Sequence, residues 1–394
     1  MIERLTLTNF KAFQHAELPL APLTLLTGLN SSGKSSVLQA LALLHQSYTA
    51  GDLDHARTLA LEIAGGSPHR SRHDNGFLLN GELVTIGVGQ DVLHEDFTGD
   101  EPEITLAVSE GAYRYSWTVG YAPEQNLLPL TSVELPLTEG ADRPAGDPAI
   151  VPRYFTGGFQ YLHADRITPS ERYPRDHHMV IGRGFLGVRG EHTVNFLRHH
   201  ARDEVPDGAM RHPKAASHRL LDQVNAWMGD LCPGVDLQAT PIEGTDAVRL
   251  SYGFPDGLST TRRRPTNVGF GLTYALPIVV ACLTATPGAL VLLENPEAHL
   301  HPHGQTRMAA LAAASAAQGA QLVVESHSDH VLNGMRLAVK EGVLTPEQVA
   351  VHYFRRENGD TRVITPRIDE DGLIDQWPDG FFDELENTLD KLLE

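Results

Sequence analysis

Residues 28–35 read GLNSSGKS, and Gly28-Leu29-Asn30-Ser31-Ser32-Gly33-Lys34-Ser35 fit the pattern G-x-x-x-x-G-K-[ST]. No other stretch restricts the fold as much. The apolar run LTLLTGLN (23–30) enters the pattern, and SSVLQALALLHQ (35–46), with leucines on one side, leaves it. Strand, glycine loop and helix is the order a phosphate-binding loop requires. Glycines let the backbone curl until its N–H groups point inward, and the helix N-terminus adds partial positive charge. Asn30, Ser31, Ser32, Gly33, Lys34, Ser35 and Ser36 are therefore expected to bind a nucleotide. Lys34 pairs with the β- and γ-phosphates and Ser35 holds Mg²⁺, so ATP and Mg²⁺ are the expected cofactors.

Such a loop also needs a carboxylate from a neighbouring strand to hold the metal. ALVLLE (289–294) supplies an apolar strand ending in Glu294, where open parallel sheets bind ligands. Glu294 begins a dense polar run, ENPEAHLHP (294–302), with Asn295, Glu297, His299 and His301. A second chemistry for this run is a metal cluster built on His299, His301 and His303. Alternate side chains share a face only on a strand, and Pro302 disrupts one, so the histidines are placed in the turn after the strand.

The rest of the chain divides by pattern. Residues 1–50 carry the loop, preceded by the strand-like LTLTNF (5–10). Residues 51–153 form a β-rich insertion, with β-type runs at 77–89, 103–110 and 113–122, which predict antiparallel strands, and a Pro/Gly-rich linker at 140–153. Residues 154–265 read as a mixed lobe, with a strand end at 159–165, a helix at 217–231 and a hairpin at 237–254. In 266–360 helices and strands alternate, the mark of a parallel sheet covered by helices. In the module 361–394, Phe382, Leu385, Leu389 and Leu392 share one helical face. The fold class expected is α/β, with a mixed or parallel sheet, a β-rich insertion and a helical or mixed lobe.

Taken together, these motifs resemble the ABC-type P-loop ATPase head of RecF, SMC and OLD-like proteins, a group within the AAA-family ATPases. NFKAF (9–13) precedes the loop as in that group, and ENPEAHLHP is similar to its Walker B and D-loop segment. VVESHSDHVLN (323–333) is similar to the switch-histidine strand, which implies that His327 lies near a γ-phosphate. NVGFGLTYALP (267–277) sits where the signature motif does, implying that Gly269 and Gly271 contact phosphate from a second subunit. HADRITPSERY (163–173) occupies the Q-loop region but lacks the glutamine. The C-terminal Trp377-Pro378-Asp379-Gly380-Phe381-Phe382-Asp383 resembles a WP-x-GFFD module of a bacterial subgroup. About 260 residues separate Lys34 from Glu294, far more than in small P-loop kinases or GTPases.

The resemblance also exposes a departure. The family pattern places Asp, then a general-base Glu, where this chain has Glu294 and Asn295. An amide has no basic site near neutral pH. Either Glu297 acts as the base, or Asn295 only orients water and hydrolysis is slow. Heads of this kind pair across ATP, so a homodimer and a separate effector, a nuclease or toxin, are implied, with a role in DNA maintenance or anti-phage defence. About 60 residues follow His330, too few for a nuclease domain of its own. The rival readings are a nucleotide-gated scaffold that barely hydrolyses ATP and a small-molecule kinase.

Net charge is −19, from 31 basic and 50 acidic residues, which excludes a uniformly basic nucleic-acid surface but not a local one. Arginines crowd 153–198 and recur at Arg262, Arg263 and Arg264; with Arg166 they are candidates for contact with phosphate, a partner subunit or DNA, or for plain solvated charge. Two distant cysteines, no secretion signal and no membrane-length apolar run point to a cytoplasmic protein without membrane contact.

Overall fold

The computed structural model describes residues 1–53, 75–100, 102–136, 151–254, 261–357 and 360–393. Most of the linker expected at 140–153, and the side chain of Leu385, lie outside the described residues. The chain forms two compact units. The first comprises Met1–Ala21, Gly28–Gly157 and Phe354–Val363; the second comprises Pro22–Thr27, Gly158–Tyr353 and Ile364–Glu394.

The first unit contains a six-stranded antiparallel sheet in the order Phe13–Pro19, Arg4–Phe10, Glu103–Glu110, Tyr113–Gly120, Leu127–Glu134 and Gly76–Leu78. Its register sets Leu7 opposite Leu106, and Leu106 opposite Trp117, so one face is a continuous apolar layer. The β-type run at 77–89 yields less strand than its pattern predicts, only Gly76–Leu78 and an isolated bridge from Asn80 to Thr85. Side chains take over the backbone bonding there. Gln46, on the helix Lys34–Thr49, donates to the carbonyl of Leu78 (2.6 Å) and accepts from the N–H groups of Leu83 (2.9 Å) and Val84 (3.1 Å), while Asn80 clasps Gly87.

The second unit is built on parallel strands in the order Leu23–Gly28, Gln321–Glu325, Leu290–Glu294 and Phe159–Leu162. The first of these belongs to this unit as far as Thr27. All four are near-continuous apolar runs, as strands covered on both faces must be. The helices Phe270–Thr284, Pro302–Ala317 and Asp329–Lys340 bury their apolar residues in the same core. This is the alternation expected for 266–360. A separate three-stranded antiparallel sheet, Asp236–Pro241, Ala247–Gly253 and Tyr173–Pro174, carries the expected hairpin. In the WPDGFFD segment, buried Phe381 packs edge-on against Tyr353, Trp377 and Phe382. A side chain at Gly380 would meet the Tyr353 hydroxyl at 2.7 Å, so the segment lies close against Tyr353. Among the described residues, no helix is long and apolar enough to cross a membrane.

Candidate functional site

The strand Leu23–Gly28 delivers the loop and the helix Lys34–Thr49 follows it, as the pattern predicts. The loop's shape is set by sterics. Gly28 (φ 132°) and Gly33 (φ 96°) adopt backbones that L side chains rarely take, and Ser31 joins them at φ 58°. A Cβ on Gly28 would lie 2.1 Å from the carbonyl oxygen of Phe354. One on Gly33 would lie 2.9 Å from the Phe13 ring and 3.0 Å from Ala12, which explains why the NFKAF turn and the loop occur together. Lys34 is buried and donates from Nζ to the carbonyls of Leu29 (2.6 Å) and Gly28 (3.1 Å), bracing the curl. Ser32 donates to the Leu29 carbonyl at 2.7 Å, and Thr361 donates to the carbonyl of Ser32 at 3.2 Å. The first turn of the helix has no side-chain cap, so its N–H groups suit an anion. Asn30, Ser35 and Ser36 lie on the same segment, Ser36 tied to Gly33 by a backbone bond of 3.1 Å.

In the second unit the acids gather at one sheet end. Leu26, Glu325 and Glu294 stand side by side in the register of three adjacent parallel strands. The acidic strand is therefore not the immediate neighbour expected for the strand feeding the loop: Gln321–Glu325 lies between them. Glu294 is held by the Tyr161 hydroxyl (2.5 Å to Oε1) and the Ala164 N–H (2.9 Å to Oε2). Each oxygen keeps a further lone pair, so the carboxylate fits a hard cation. Glu297 accepts the His327 N–H at 3.0 Å on Oε1, while its Oε2 is buried without a hydrogen-bond partner among the described residues. His327 itself is exposed beside Glu297.

Arg166 is corrected by the structure. It is fully buried and donates to the carbonyls of Glu294 (2.7 Å), Asn295 (2.6 Å) and His163 (3.0 Å). It cannot reach out to DNA or a partner; it fastens the acidic turn. Burial pulls its pKa down to about 10, opposed by Glu297, Tyr274 and Glu294, and it stays charged at neutral pH. Asn295 sits at φ 45°, a left-handed backbone that Asn tolerates, and its N–H donates to the Glu325 carbonyl at 2.8 Å. His299 (φ 63°) follows in the same turn, its ring against Tyr274 (4.8 Å), over which Arg166 lies at 5.5 Å. His301 instead accepts from the His303 N–H to cap the helix Pro302–Ala317.

Gly269 is the N-cap of the helix Phe270–Thr284 and has open space where a Cβ would be. Gly271 has a local duty: a Cβ there would sit 2.6 Å from the His299 carbonyl oxygen. Sequence reasoning gave no role to Tyr161 or Glu325. Glu325 carried the same signal as Glu294, an acid ending an apolar strand; Tyr161 carried none.

A strand–loop–helix with this glycine geometry defines a P-loop nucleotide-binding protein. Residues 23–333 match the family described as "AAA domain, putative AbiEii toxin, Type IV TA system". The chain belongs to this AAA-domain family. Residues 344–392 match a family described as "Protein of unknown function (DUF3696)". No curated protein matches the chain. Among solved structures it is similar to an SMC head bound to the C-winged helix domain of ScpA (14% identity, 92% of this chain and 97% of that one, TM-score 0.48). It is also similar to the SMC head domain from Thermotoga maritima (12%, 92% and 98%, 0.42). A third similar structure is the Smc head with an extended coiled coil bound to the C-terminal domain of ScpA, derived from Pyrococcus furiosus (13%, 100% and 99%, 0.47).

Proposed function

We propose that this chain is a Mg²⁺-dependent ABC-type ATPase that dimerises on ATP and gates a separate effector in DNA maintenance or anti-phage defence. The observation that carries the reading is the shared level of Leu26, Glu325 and Glu294 at the C-terminal end of the parallel sheet. Two strand spacings put the Glu294 backbone about 10 Å from that of Leu26. Mg²⁺ keeps several waters, so a carboxylate at that remove fits a role through metal-bound water as well as direct ligation. When bound, ATP with Mg²⁺ supplies a γ-phosphoryl group open to attack by water.

Around that chemistry the residues take distinct roles. Asn30, Ser31, Ser32 and Gly33 present backbone N–H groups, Lys34 takes phosphate charge, Ser35 and Glu294 serve the metal, and Ser36 closes the first turn. Glu297 is the general base. One of its oxygens is fixed by the His327 N–H, and the other is buried without a hydrogen-bond partner among the described residues and disposed to take a proton. Asn295 orients water, His327 faces the γ-phosphate, and Gly269 and Gly271 open the helix offered to the partner head, beside half-exposed Phe270. The family's description, a putative toxin of a toxin–antitoxin system, supports a role in such a system.

One observation favours a second reading, a nucleotide-gated scaffold with negligible turnover: the amide of Asn295 where the family pattern has its base. Light scattering with and without ATP, beside phosphate release, tests both. The expected result is a dimer only with ATP and slow turnover that falls further in Glu297→Gln while dimerisation persists. Equal inactivity of wild type and Glu297→Gln, with ATP-dependent dimers, favours the scaffold. A mass indifferent to ATP, together with phosphate appearing on an added small acceptor, overturns both.

A further inference from the structure

Five arginines that the proposed nucleotide chemistry leaves unused line the three-stranded sheet of the second unit. On one face of that sheet Leu237, Val248, Leu250 and Tyr252 are buried in the core. The alternate residues form a polar face in which Gln238 stands opposite Ser251 and Thr240 opposite Arg249. Arg172 and the run Arg262–Arg264 close this face into a cavity of about 410 Å³. Five guanidiniums line it against one acid, Glu171.

Among the described residues the charge is only partly cancelled. Arg262 pairs with Asp236 (2.6 Å) and Arg264 with Glu171, but Arg172 and Arg249 have no ion pair among the described residues. This occurs in a chain with 50 acidic residues. Arg262 is also fixed by Ser251 Oγ (2.9 Å) and by the carbonyls of Asp236 (3.0 Å) and Ser251 (3.1 Å), so one wall is rigid before any ligand arrives. Arg263 lies over the Phe254 ring at 5.4 Å.

A second basic hollow makes the pattern repeat. Arg175, His177, Arg198 and His199, with Asp246, line a cavity of about 240 Å³. Arg172 and Arg175 flank the two-residue edge strand Tyr173–Pro174, whose alternation sets Arg172 toward the polar face and Arg175 toward the other, so a ligand that fills both hollows rounds this edge. A lone anion needs one such hollow; a chain of phosphodiesters fills both.

We infer that the polar face of this sheet binds the phosphate backbone of a nucleic-acid strand through Arg172, Arg249 and the Arg262–Arg264 wall, with Arg175 and Arg198 receiving the next phosphates as the strand rounds the Tyr173–Pro174 edge. The inference is independent of the ATPase reading, since it uses none of those residues. Phosphate contacts of this kind carry no base specificity and weaken steeply with salt.

The test is fluorescence anisotropy of labelled single-stranded and duplex oligonucleotides of about 20 nucleotides, titrated with the full chain without ATP across a salt series. Binding that falls with salt is expected, and Arg249→Gln should flatten the plot of log affinity against log salt by about one unit. Arg172→Glu with Arg249→Glu should weaken binding at least about tenfold, and Arg211→Gln, at a residue paired with Asp207 instead, should not. Thermal melts check folding. If the double variant does not fold, Arg172→Gln carries the test. Absence of binding at low salt, or binding unchanged by Arg249→Gln and Arg172→Gln, overturns the proposal. So does competition by a mononucleotide or inorganic phosphate as effective per phosphate as the strand, which would make the cavity a single-anion site.

Discussion

The phosphate loop and the acidic turn are asked by the proposed chemistry to work together, yet they hold their shapes in different ways. In the loop, backbone geometry decides: Gly28 and Gly33 are required because any side chain would collide with Phe354, Phe13 or Ala12. In the acidic turn, a hydrogen-bond network with distant residues decides. Tyr161, Arg166 and the His327 N–H position Glu294, Asn295 and Glu297, and the local residues depart from the family pattern. A site set by backbone tolerates almost no change of letter. A site set by a network can exchange letters as long as its supports remain.

The sharpest way to break this comparison is to add a side chain to each region. Gly28→Val places branched carbon against the Phe354 carbonyl in a backbone only glycine accepts comfortably. A stability loss above about 4 kcal/mol, or no folded protein, is expected in denaturant titration. Gly271→Ala, meeting the His299 carbonyl at 2.6 Å, should cost less, about 1–3 kcal/mol, because a turn fastened by side chains can shift. Equal costs would erase the distinction.

The same distinction explains what was legible in the sequence. The loop was read whole, because its string states a backbone shape and the strand and helix around it confirm the context. The parallel sheet followed from alternating apolar runs. The order of strands did not: nothing in ALVLLE or QLVVES says which of them lies next to Leu23–Gly28. Arg166 looked like surface charge because a string of arginines carries no sign of burial, and its role emerged only from the carbonyls it reaches. Residues 77–89 looked like strand because the pattern cannot show that Gln46, more than thirty positions earlier, takes over the backbone bonds.

Glu297→Gln is the next test, now of catalysis. Losing a general base should cut turnover about 10²–10⁴-fold at unchanged ATP affinity, read by phosphate release and nucleotide titration. Asn295→Glu works in the opposite direction. A second carboxylate where the family pattern has one should raise turnover about tenfold, short of a full general-base effect because the proposed base Glu297 is still present. It should also cost about 1–2 kcal/mol of stability, since Glu does not share asparagine's ease at φ 45°. No gain in turnover would mean that the network has moved the base to Glu297 entirely.

The smallest effect falls on the supports themselves. Tyr161→Phe removes the 2.5 Å bond to Glu294 but leaves the Ala164 N–H in place. A hydrogen bond to a charged acceptor is worth roughly 1.5–3 kcal/mol, and the surviving bond should keep the loss near the low end. Its pH signature is more specific. Burial first, then the charge of Glu294 and the hydrogen bond to it, lift the Tyr161 hydroxyl well above its ordinary value of 10.0. Above that value the unfolded chain releases the tyrosine proton while the native protein keeps it, so the unfolded state binds fewer protons and stability falls as pH rises. Arg166, held at about 10, acts with the opposite sign, because the native protein loses that proton first. The difference between wild type and Tyr161→Phe therefore isolates the tyrosine, provided Arg166 keeps its three carbonyls. The variant should lose less stability per pH unit in alkaline denaturant titrations, by up to about 1.4 kcal/mol. Parallel curves would show that Glu294 is held without Tyr161, and that the acidic turn depends on its own backbone as the phosphate loop does.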